Sequence, residues 1–218
     1  MNILIADDHF AMVASLKTII SFAFEEVENL VFIEAFNCEE AILKTHEFLL
    51  ENKTFNLAVL DYIMPPFVEK QIANGGDLCS YIKKVMPSCK TLINTGVVED
   101  FTLFEIDQIA KPDALTLKSD ISTEEYINVC KKIMKGEKFR SYYVQEKIQQ
   151  IWEQQTFTQE INRQIVKLLT EGYKINEIAK TLSLSPIAIQ KRIVKIKLAL
   201  KITDNTSVLR EVKRLGYI

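Results

Sequence analysis

A short buried-strand pattern that ends in a carboxylate constrains this chain more than any other feature. Residues 57–60, Leu-Ala-Val-Leu, form an uninterrupted apolar run, which is typical of a strand covered on both faces in a parallel sheet. Asp61 follows directly, and Pro65 and Pro66 end the strand because proline cannot donate a hydrogen bond to a sheet. Ligands of open α/β sheets bind at the carboxyl ends of the strands. An Asp after a strand is also a common turn residue or helix cap, so Asp61 needs further support as a functional residue.

Length and cysteine usage indicate a globular protein of two domains. The 218 residues exceed the usual size of a single domain. The four cysteines are scattered without a CxxC pair, which favours reduced core thiols over disulfides or zinc ligands, and we expect a cytoplasmic protein. No apolar run is long enough to span a membrane, and residues 1–8 lack the features of a signal peptide, so we expect no membrane partner.

Charge is divided unevenly along the chain. Residues 157–218 contain 12 Lys and Arg against 5 Asp and Glu, which gives +7, and the rest contains 15 basic and 24 acidic residues, which gives −9. An acidic N-terminal part followed by a basic C-terminal part predicts that only the C-terminal part binds a polyanion.

Strand and helix patterns alternate over the first 135 residues. Five apolar segments, each followed by a helical pattern, predict an α/β fold with a doubly wound, five-stranded parallel sheet. The predicted strands are residues 2–6, 30–35, 57–60, 91–94 and 114–117.

The polar residues at the ends of these strands predict one site. They are Asp7 and Asp8, Asp61, Thr95 and Lys118. Three carboxylates suit Mg²⁺, and a hydroxyl and an ammonium complete a set that can hold a phosphoryl group, with Asp61 as the nucleophile that forms an acyl phosphate. Taken one at a time, these residues are more simply explained as helix caps, a strand end and a solvated lysine. Their joint occurrence at four strand ends favours the site.

The last 62 residues show a pattern of short helices. Ser185 is a predicted helix cap with Pro186 at the first helical position. On a helical wheel, one face of the helix that follows is apolar, and the opposite face carries Ile187, Gln190, Lys191, Val194, Lys195 and Leu198. Such a helix after a tight turn predicts an all-α helix-turn-helix domain of about four helices, with the exposed face in a DNA groove. A solvated basic helix on a small bundle is the alternative.

The motifs of the first domain resemble the receiver domain of two-component response regulators. They are Ala6-Asp7-Asp8-His9, Leu60-Asp61 with Met64-Pro65, Thr95-Gly96 and Leu117-Lys118-Ser119-Asp120. The first and last are most similar to the NarL/LuxR-type subgroup. The resemblance covers about 135 residues and implies a flavodoxin-like receiver at residues 1–135, a linker at 136–156 and the second domain at 157–218.

This resemblance implies a role for each residue of the predicted site. Asp8, Asp61 and the backbone carbonyl of Ile63 would bind Mg²⁺, with Asp7 assisting. Asp61 would accept the phosphoryl group from a sensor histidine kinase. For the two remaining strand ends, the resemblance implies that Thr95 binds the phosphoryl group and Lys118 forms an ion pair with it. His9 is expected to be structural.

The motifs of the second domain resemble the LuxR-type DNA-binding module. They are Leu169, Gly172, Glu177-Ile178-Ala179, Leu182, Ser185 and Ile189. The family's base contacts fall on Gln190, Lys191 and Val194, and Arg192 and Lys195 complete the predicted DNA-binding set. The resemblance implies a bacterial response regulator that binds double-stranded DNA as a homodimer to control transcription, and it implies no metabolic enzyme.

Three departures from the family pattern leave alternatives open. The glycine expected about eight residues after the acceptor aligns with Gly75 or Gly76, so Pro65–Gly76 contains an insertion of about seven residues. Leu115 stands where a switch aromatic is expected, which favours a DNA-binding regulator that works without phosphorylation. A Mg²⁺-dependent phosphohydrolase with an aspartyl-phosphate intermediate is the third reading, and the apolar Ile63 argues against it.

Overall fold

The computed structural model divides the chain into two compact units, Met1–Ile148 and Gln149–Ile218. It describes residues 1–200, 202, 208, 210 and 211, without the side chains of residues 100, 101 and 152–158. In the described part of the chain, no helix combines the length and the apolar character needed to cross a membrane.

The first unit alternates strands and helices, as the sequence predicts. Its strands are β1 Asn2–Ala6, β2 Val31–Ala35, β3 Leu57–Leu60, β4 Lys90–Thr95, β5 Ala114–Leu117 and β6 Phe139–Arg140. Its helices are α1 Phe10–Ala23, α2 Cys38–Leu50, α3 Gly75–Val85, α4 Asp100–Glu105 and α5 Thr123–Met134. A 3₁₀ turn at Val68–Lys70 precedes α3, and a π-helical turn at Ile106–Ala110 follows α4.

All six strands are parallel and lie in the order β2-β1-β3-β4-β5-β6. The α/β class and the doubly wound parallel sheet are confirmed, and the count of five strands is wrong by one. Strand β6 consists of two residues that pair with Ala114 and Leu115 of β5. Two residues are too few for a period in the sequence, so only the partner strand reveals β6.

The core of this unit explains the apolar runs. Every residue of β3 is buried, which confirms the strand predicted at residues 57–60. One core cluster joins Ile3 and Ile5 of β1 to Leu16 of α1 and to Val129 and Ile133 of α5. Residues of β1 that alternate along the strand therefore meet helical residues spaced by three or four positions. The four cysteines are free and buried, as predicted.

Capping side chains fix where the helices begin. Asn37 caps α2 by accepting a hydrogen bond from the amide of Glu40 (2.8 Å), and the Glu40 carboxylate accepts one from the amide of Phe36 (3.0 Å), the residue before the cap. Ser122 caps α5 through the amide of Glu125. Asn74 caps α3, which begins at Gly75.

Helix α6, Tyr142–Thr158, contains the boundary between the two units. Residues 136–156, predicted to be a linker, thus contain β6 and most of α6. The second unit continues with α7 Glu160–Thr170, α8 Ile175–Thr181 and α9 Pro186–Ala199. Thr158 is the last residue of α6.

Helix α9 follows the sequence prediction closely. Ser185 accepts a hydrogen bond from the amide of Ala188 (3.2 Å), and Pro186 is the first helical residue. The apolar face of α9 is buried against α7 and α8 through Ile189, Ile193 and Ile196. The last of the roughly four helices predicted for this domain would fall in residues 201–218, most of which lie outside the described residues.

Candidate functional site

The strand order places a crevice between β1 and β3. In a sheet of order 2-1-3-4-5 the connections leave β1 and β3 on opposite sides, and ligands bind at that switch point. Asp7 and Asp8 follow β1, and Asp61 follows β3. The amide of Asp61 donates to the carbonyl of Ala6 (2.7 Å), and that of Asp7 donates to the carbonyl of Ala35 (3.1 Å). Both acidic segments are therefore held by the sheet's own hydrogen bonds.

The three predicted acidic residues meet in this crevice. Carboxylate oxygens of Asp7, Asp8 and Asp61 and a ring nitrogen of His9 all lie within 4.8 Å of one another. Asp7 and Asp61 are only 1% and 5% exposed, whereas His9 is largely exposed. The His9 ring Nδ1 lies 2.7 Å from Asp8 Oδ1.

Lys118 joins two of the carboxylates. Its Nζ lies 2.8 Å from Asp7 Oδ2 and 2.9 Å from Asp61 Oδ2. The other oxygen of Asp7 accepts a hydrogen bond from the amide of His9 (2.9 Å). The other oxygen of Asp61 accepts one from the amide of Tyr62 (2.8 Å). Both oxygens of Asp7 and both oxygens of Asp61 therefore have a partner. These contacts fix the orientation of the two carboxylates.

Burial and charge act against each other in the pKa values of this cluster. Burial raises the pKa of the Asp61 carboxyl, and the charge of Asp7 adds to the rise, although Lys118 and the Tyr62 amide oppose it. Burial also lowers the pKa of Lys118, but the hydrogen bonds and charges of Asp7 and Asp61 outweigh it and the pKa of Lys118 is raised overall. Lys118 therefore stays an ammonium at neutral pH.

Thr95 ends β4 beside this cluster. Its carbonyl accepts the amide of Lys118 (2.8 Å), so these two predicted site residues are joined through the backbone. Its hydroxyl accepts the amide of Val97 (3.0 Å). Among the described residues the Thr95 hydroxyl donates no hydrogen bond, so its proton can be offered to a bound anion.

Gly75 decides how closely α3 approaches Asp61. A Cβ built on Gly75 would lie 1.9 Å from the Asp61 carbonyl oxygen, which no side chain tolerates. The amide of Gly75 donates to the carbonyl of Tyr62 (2.9 Å). The sequence left Gly75 and Gly76 as alternatives for the family glycine, and Gly75 is the residue whose lack of a side chain matters sterically.

The insertion before Gly75 is a small closed loop. Phe67 and Ile72 exchange two backbone hydrogen bonds (2.8 and 3.1 Å), and both side chains are buried. Val68, between them, is 79% exposed. Of the three apolar residues of this loop, Phe67 and Ile72 thus pack onto the first unit, while Val68 faces solvent.

Two departures from the family pattern can be located in the structure. Leu115 is fully buried in β5, with its carbonyl bonded to the amide of Ser141 (3.1 Å). Ile63, two residues after Asp61, is 62% exposed, so it places an apolar side chain at the mouth of the crevice. Its backbone carbonyl as a metal ligand stays a prediction.

The acidic cluster fits a magnesium ion by its donor chemistry. Three carboxylates face a single ammonium, which leaves excess negative charge in a partly buried crevice. Asp8 Oδ1 is buried, and among the described residues it accepts no hydrogen bond, although the His9 ring Nδ1 lies 2.7 Å away. Hard oxygen donors with open space for water are the ligands that Mg²⁺ prefers.

The predicted DNA-binding residues lie on the outer face of α9, with one exception. Gln190, Lys191, Val194 and Lys195 are exposed, as the helical wheel predicts. Arg192 is half-buried, and its Nη1 donates to Gln159 Oε1 and Asn162 Oδ1 (both 3.1 Å). Its guanidinium is therefore engaged within the second unit, which favours a structural role and weakens the prediction that Arg192 contacts DNA.

Three residues near the site escaped the sequence analysis. Two hydrogen bonds join the start of α6 to the turn that contains Lys118. The Ser141 hydroxyl accepts one from the amide of Leu117, and the Asp120 carboxylate accepts one from the amide of Tyr143. Asp120 was part of a recognised motif, but its partner lies 23 residues away, so no local spacing could reveal the contact.

The fold is that of known response regulators. No model of a protein family matches the chain, and no curated protein matches it. Among solved structures, the RcsB response regulator of Salmonella typhimurium is similar with a TM-score of 0.54 at 21% identity, covering 98% of both chains. RcsB from Salmonella enterica serovar Typhimurium, bound to promoter rprA with the phosphomimetic BeF₃⁻, gives 0.53 at 19% identity over 99% of both. A structure of two RcsB dimers bound to two parallel DNAs gives 0.51 at 20% identity over 98% of both. The chain thus shares their fold of an α/β receiver followed by a helix-turn-helix domain.

Proposed function

We propose that this chain is a response regulator whose Asp61 accepts a phosphoryl group from a sensor histidine kinase and whose second unit binds DNA. The observation that carries the proposal is the pair formed by buried Asp61 and Lys118 beside Asp7 and Asp8, at the switch point of the sheet. A buried carboxylate beside a fixed ammonium and a hydroxyl is the donor set for phosphoryl transfer.

The residues divide the transfer between them. A carboxylate oxygen of Asp61 attacks phosphorus, the bond between phosphorus and the donor nitrogen breaks, and an acyl phosphate forms on Asp61. The Lys118 ammonium then neutralises the charge of one phosphoryl oxygen, and the Thr95 hydroxyl donates a hydrogen bond to another. Asp7, Asp8 and Asp61 would hold Mg²⁺, which supplies further neutralisation of the phosphoryl charge.

The output follows from the second unit. Exposed Gln190, Lys191, Val194 and Lys195 on α9 present the donor, cationic and methyl groups that base edges and phosphates accept. The fold shared with RcsB, for which a structure shows two dimers bound to two parallel DNAs, supports a homodimer on double-stranded DNA. We place the protein in the bacterial cytoplasm and assign it a signalling role in transcription, without metabolic catalysis.

Labelling of Asp61 tests the proposal. The full chain with Mg²⁺ and acetyl phosphate should gain one phosphoryl group by intact mass spectrometry, and Asp61→Asn should gain none because an amide is no nucleophile. Glu69→Gln, an exposed carboxylate in the loop after β3, is the matched control and should label normally. If Asp61→Asn were also phosphorylated, a residue other than Asp61 would be the acceptor.

A regulator that works without phosphorylation is the second candidate, favoured by Leu115 at the switch-aromatic position. It requires DNA affinity to be the same for labelled and unlabelled protein. The phosphohydrolase reading has no such support, because the exposed side chain of Ile63 cannot orient an attacking water.

A further inference from the structure

The start of helix α6 is bonded to the turn that contains Lys118. The hydroxyl of buried Ser141 accepts the amide of Leu117 (3.2 Å). The Asp120 carboxylate accepts the amide of Tyr143 (2.6 Å), which is one of the amides that a helix leaves unpaired in its first turn. The turn before and after Lys118 is therefore held at both ends by residues 141–143.

Tyr143 also reaches the loop that follows Thr95. Its hydroxyl donates to the carbonyl of Val98 at 3.4 Å, a long and weak hydrogen bond. The neighbouring amide of Val97 donates to the Thr95 hydroxyl (3.0 Å). Tyr143 is thus a single residue joined to the loops of both Thr95 and Lys118.

The strong and the weak contact of Tyr143 differ in what they can do. The charge-assisted bond of 2.6 Å to Asp120 anchors the backbone of α6, while the contact of 3.4 Å to Val98 can break at little cost. A small change in the Thr95 loop therefore alters the tyrosine side chain before it alters the helix. That is the behaviour required of a sensor.

We propose that Tyr143 reports the state of the Asp61 crevice to helix α6, in place of the ring that β5 lacks at Leu115. This inference rests on the proposed function of Asp61 as the phosphoacceptor. When the Thr95 side chain rotates to bring its hydroxyl against a phosphoryl oxygen, the hydroxyl oxygen moves away from the amide of Val97, so the loop of Val98 loses a restraint. The hydrogen bond from Tyr143 to Val98 is then lost or re-formed.

Lys118 supplies the second input. Its ammonium now bridges Asp7 and Asp61, and a phosphoryl oxygen would draw it from Asp7. The turn of residues 117–120 carries this shift to Asp120 and so to the amide of Tyr143. Helix α6 starts in the first unit and continues past Ile148 into the second. A conformational change in its first turn therefore occurs in the segment that connects the two units. Two discrete bonding arrangements of Tyr143 provide the differential contacts that such a signal requires.

Hydrogen–deuterium exchange of the full chain tests this role. With Mg²⁺ and BeF₃⁻ as the phosphoryl mimic, the wild type should change its exchange in residues 96–98 and at the start of α6. The rate of exchange should shift roughly twofold to tenfold, the range expected for one hydrogen bond. Tyr143→Phe should keep the response at 96–98 and show a smaller response in α6, because it loses the hydroxyl contact to Val98 and keeps the bond from its amide to Asp120. Tyr142→Phe is the matched control, since Tyr142 is the adjacent, 77% exposed tyrosine, and should respond like the wild type.

Labelling by acetyl phosphate separates the two hypotheses. Tyr143→Phe should be labelled at Asp61 as fully as the wild type, because its hydroxyl is bonded outside the crevice. A labelled wild type without a response in α6, or an unchanged response in Tyr143→Phe, would overturn the role of Tyr143 and leave Asp61 as the acceptor. A wild type that takes no label would overturn both.

Discussion

Gly75 lies so close to Asp61 that a Cβ on Gly75 would stand 1.9 Å from the Asp61 carbonyl oxygen. The start of helix α3 therefore rests directly on the backbone of the candidate acceptor. Any side chain at residue 75 must displace either α3 or the strand end that positions the carboxylate.

Gly75→Ala should therefore destabilise the first unit and slow labelling of Asp61. We expect a loss of about 2–4 kcal/mol in the free energy of unfolding, as for other overpacked cores, measured by urea titration. Gly96→Ala is the control, because a Cβ there meets no atom within 4 Å, and should change stability by less than about 1 kcal/mol. Equal effects of the two substitutions would contradict the steric argument.

Removing the Asp61 charge should stabilise the protein when Mg²⁺ is absent. Burial raises the pKa of Asp61, so the folded state binds the proton more tightly than the unfolded state does. The stability from this proton is fully present below the ordinary pKa of 3.8 and is lost as pH rises through the higher folded pKa. In EDTA at neutral pH, the urea midpoint of Asp61→Asn should then exceed that of the wild type.

Millimolar Mg²⁺ should reverse this order by stabilising the wild type more than Asp61→Asn, since a ligand stabilises the state that binds it. Glu69→Gln should follow the wild type in both conditions. A wild type that is the more stable protein in EDTA would mean that the Lys118 hydrogen bond outweighs the cost of burying Asp61.

In the loop before Gly75, the side chain of Phe67 should contribute to the free energy of unfolding, and that of Val68 should contribute little. Phe67 is buried, and its truncation to Ala should cost about 2–4 kcal/mol through lost burial and the cavity left behind. Val68→Ala, on the exposed side of the same loop, should stay within about 0.5 kcal/mol of the wild type. Thermal or urea unfolding of both variants decides this, and a neutral Phe67→Ala would show that the loop packs only loosely.

Neighbouring basic residues of α9 should behave differently. Lys191→Ala should leave stability unchanged, lose discrimination between DNA sites and keep a steep salt dependence. If binding to every sequence weakened equally, Lys191 would contact phosphate only. Arg192→Ala should cost about 1–3 kcal/mol of stability, because it removes a hydrogen-bond donor to the Oδ1 of buried Asn162. Fluorescence anisotropy with duplex DNA and urea titration separate the two effects.

The sequence by itself determined the first five strands of this protein and most of the candidate site. The run at 57–60 indicated a doubly buried strand, and the capping residue Ser185 marked a helix start, because these signals are local in the chain. Asp7, Asp8 and Asp61 were predicted to converge because parallel strands end at one edge of the sheet. Each of these predictions depends on short-range chemistry or on a general rule of topology.

Tertiary structure alone decided the contacts between residues that are far apart in the chain. Lys118 reaches Asp7 across 111 residues, Gly75 rather than Gly76 meets the Asp61 backbone, and Arg192 turns to Asn162. Strand β6 exists only because β5 offers it an edge to pair with. No local pattern encodes such contacts, since each depends on where the packed core places two segments in space.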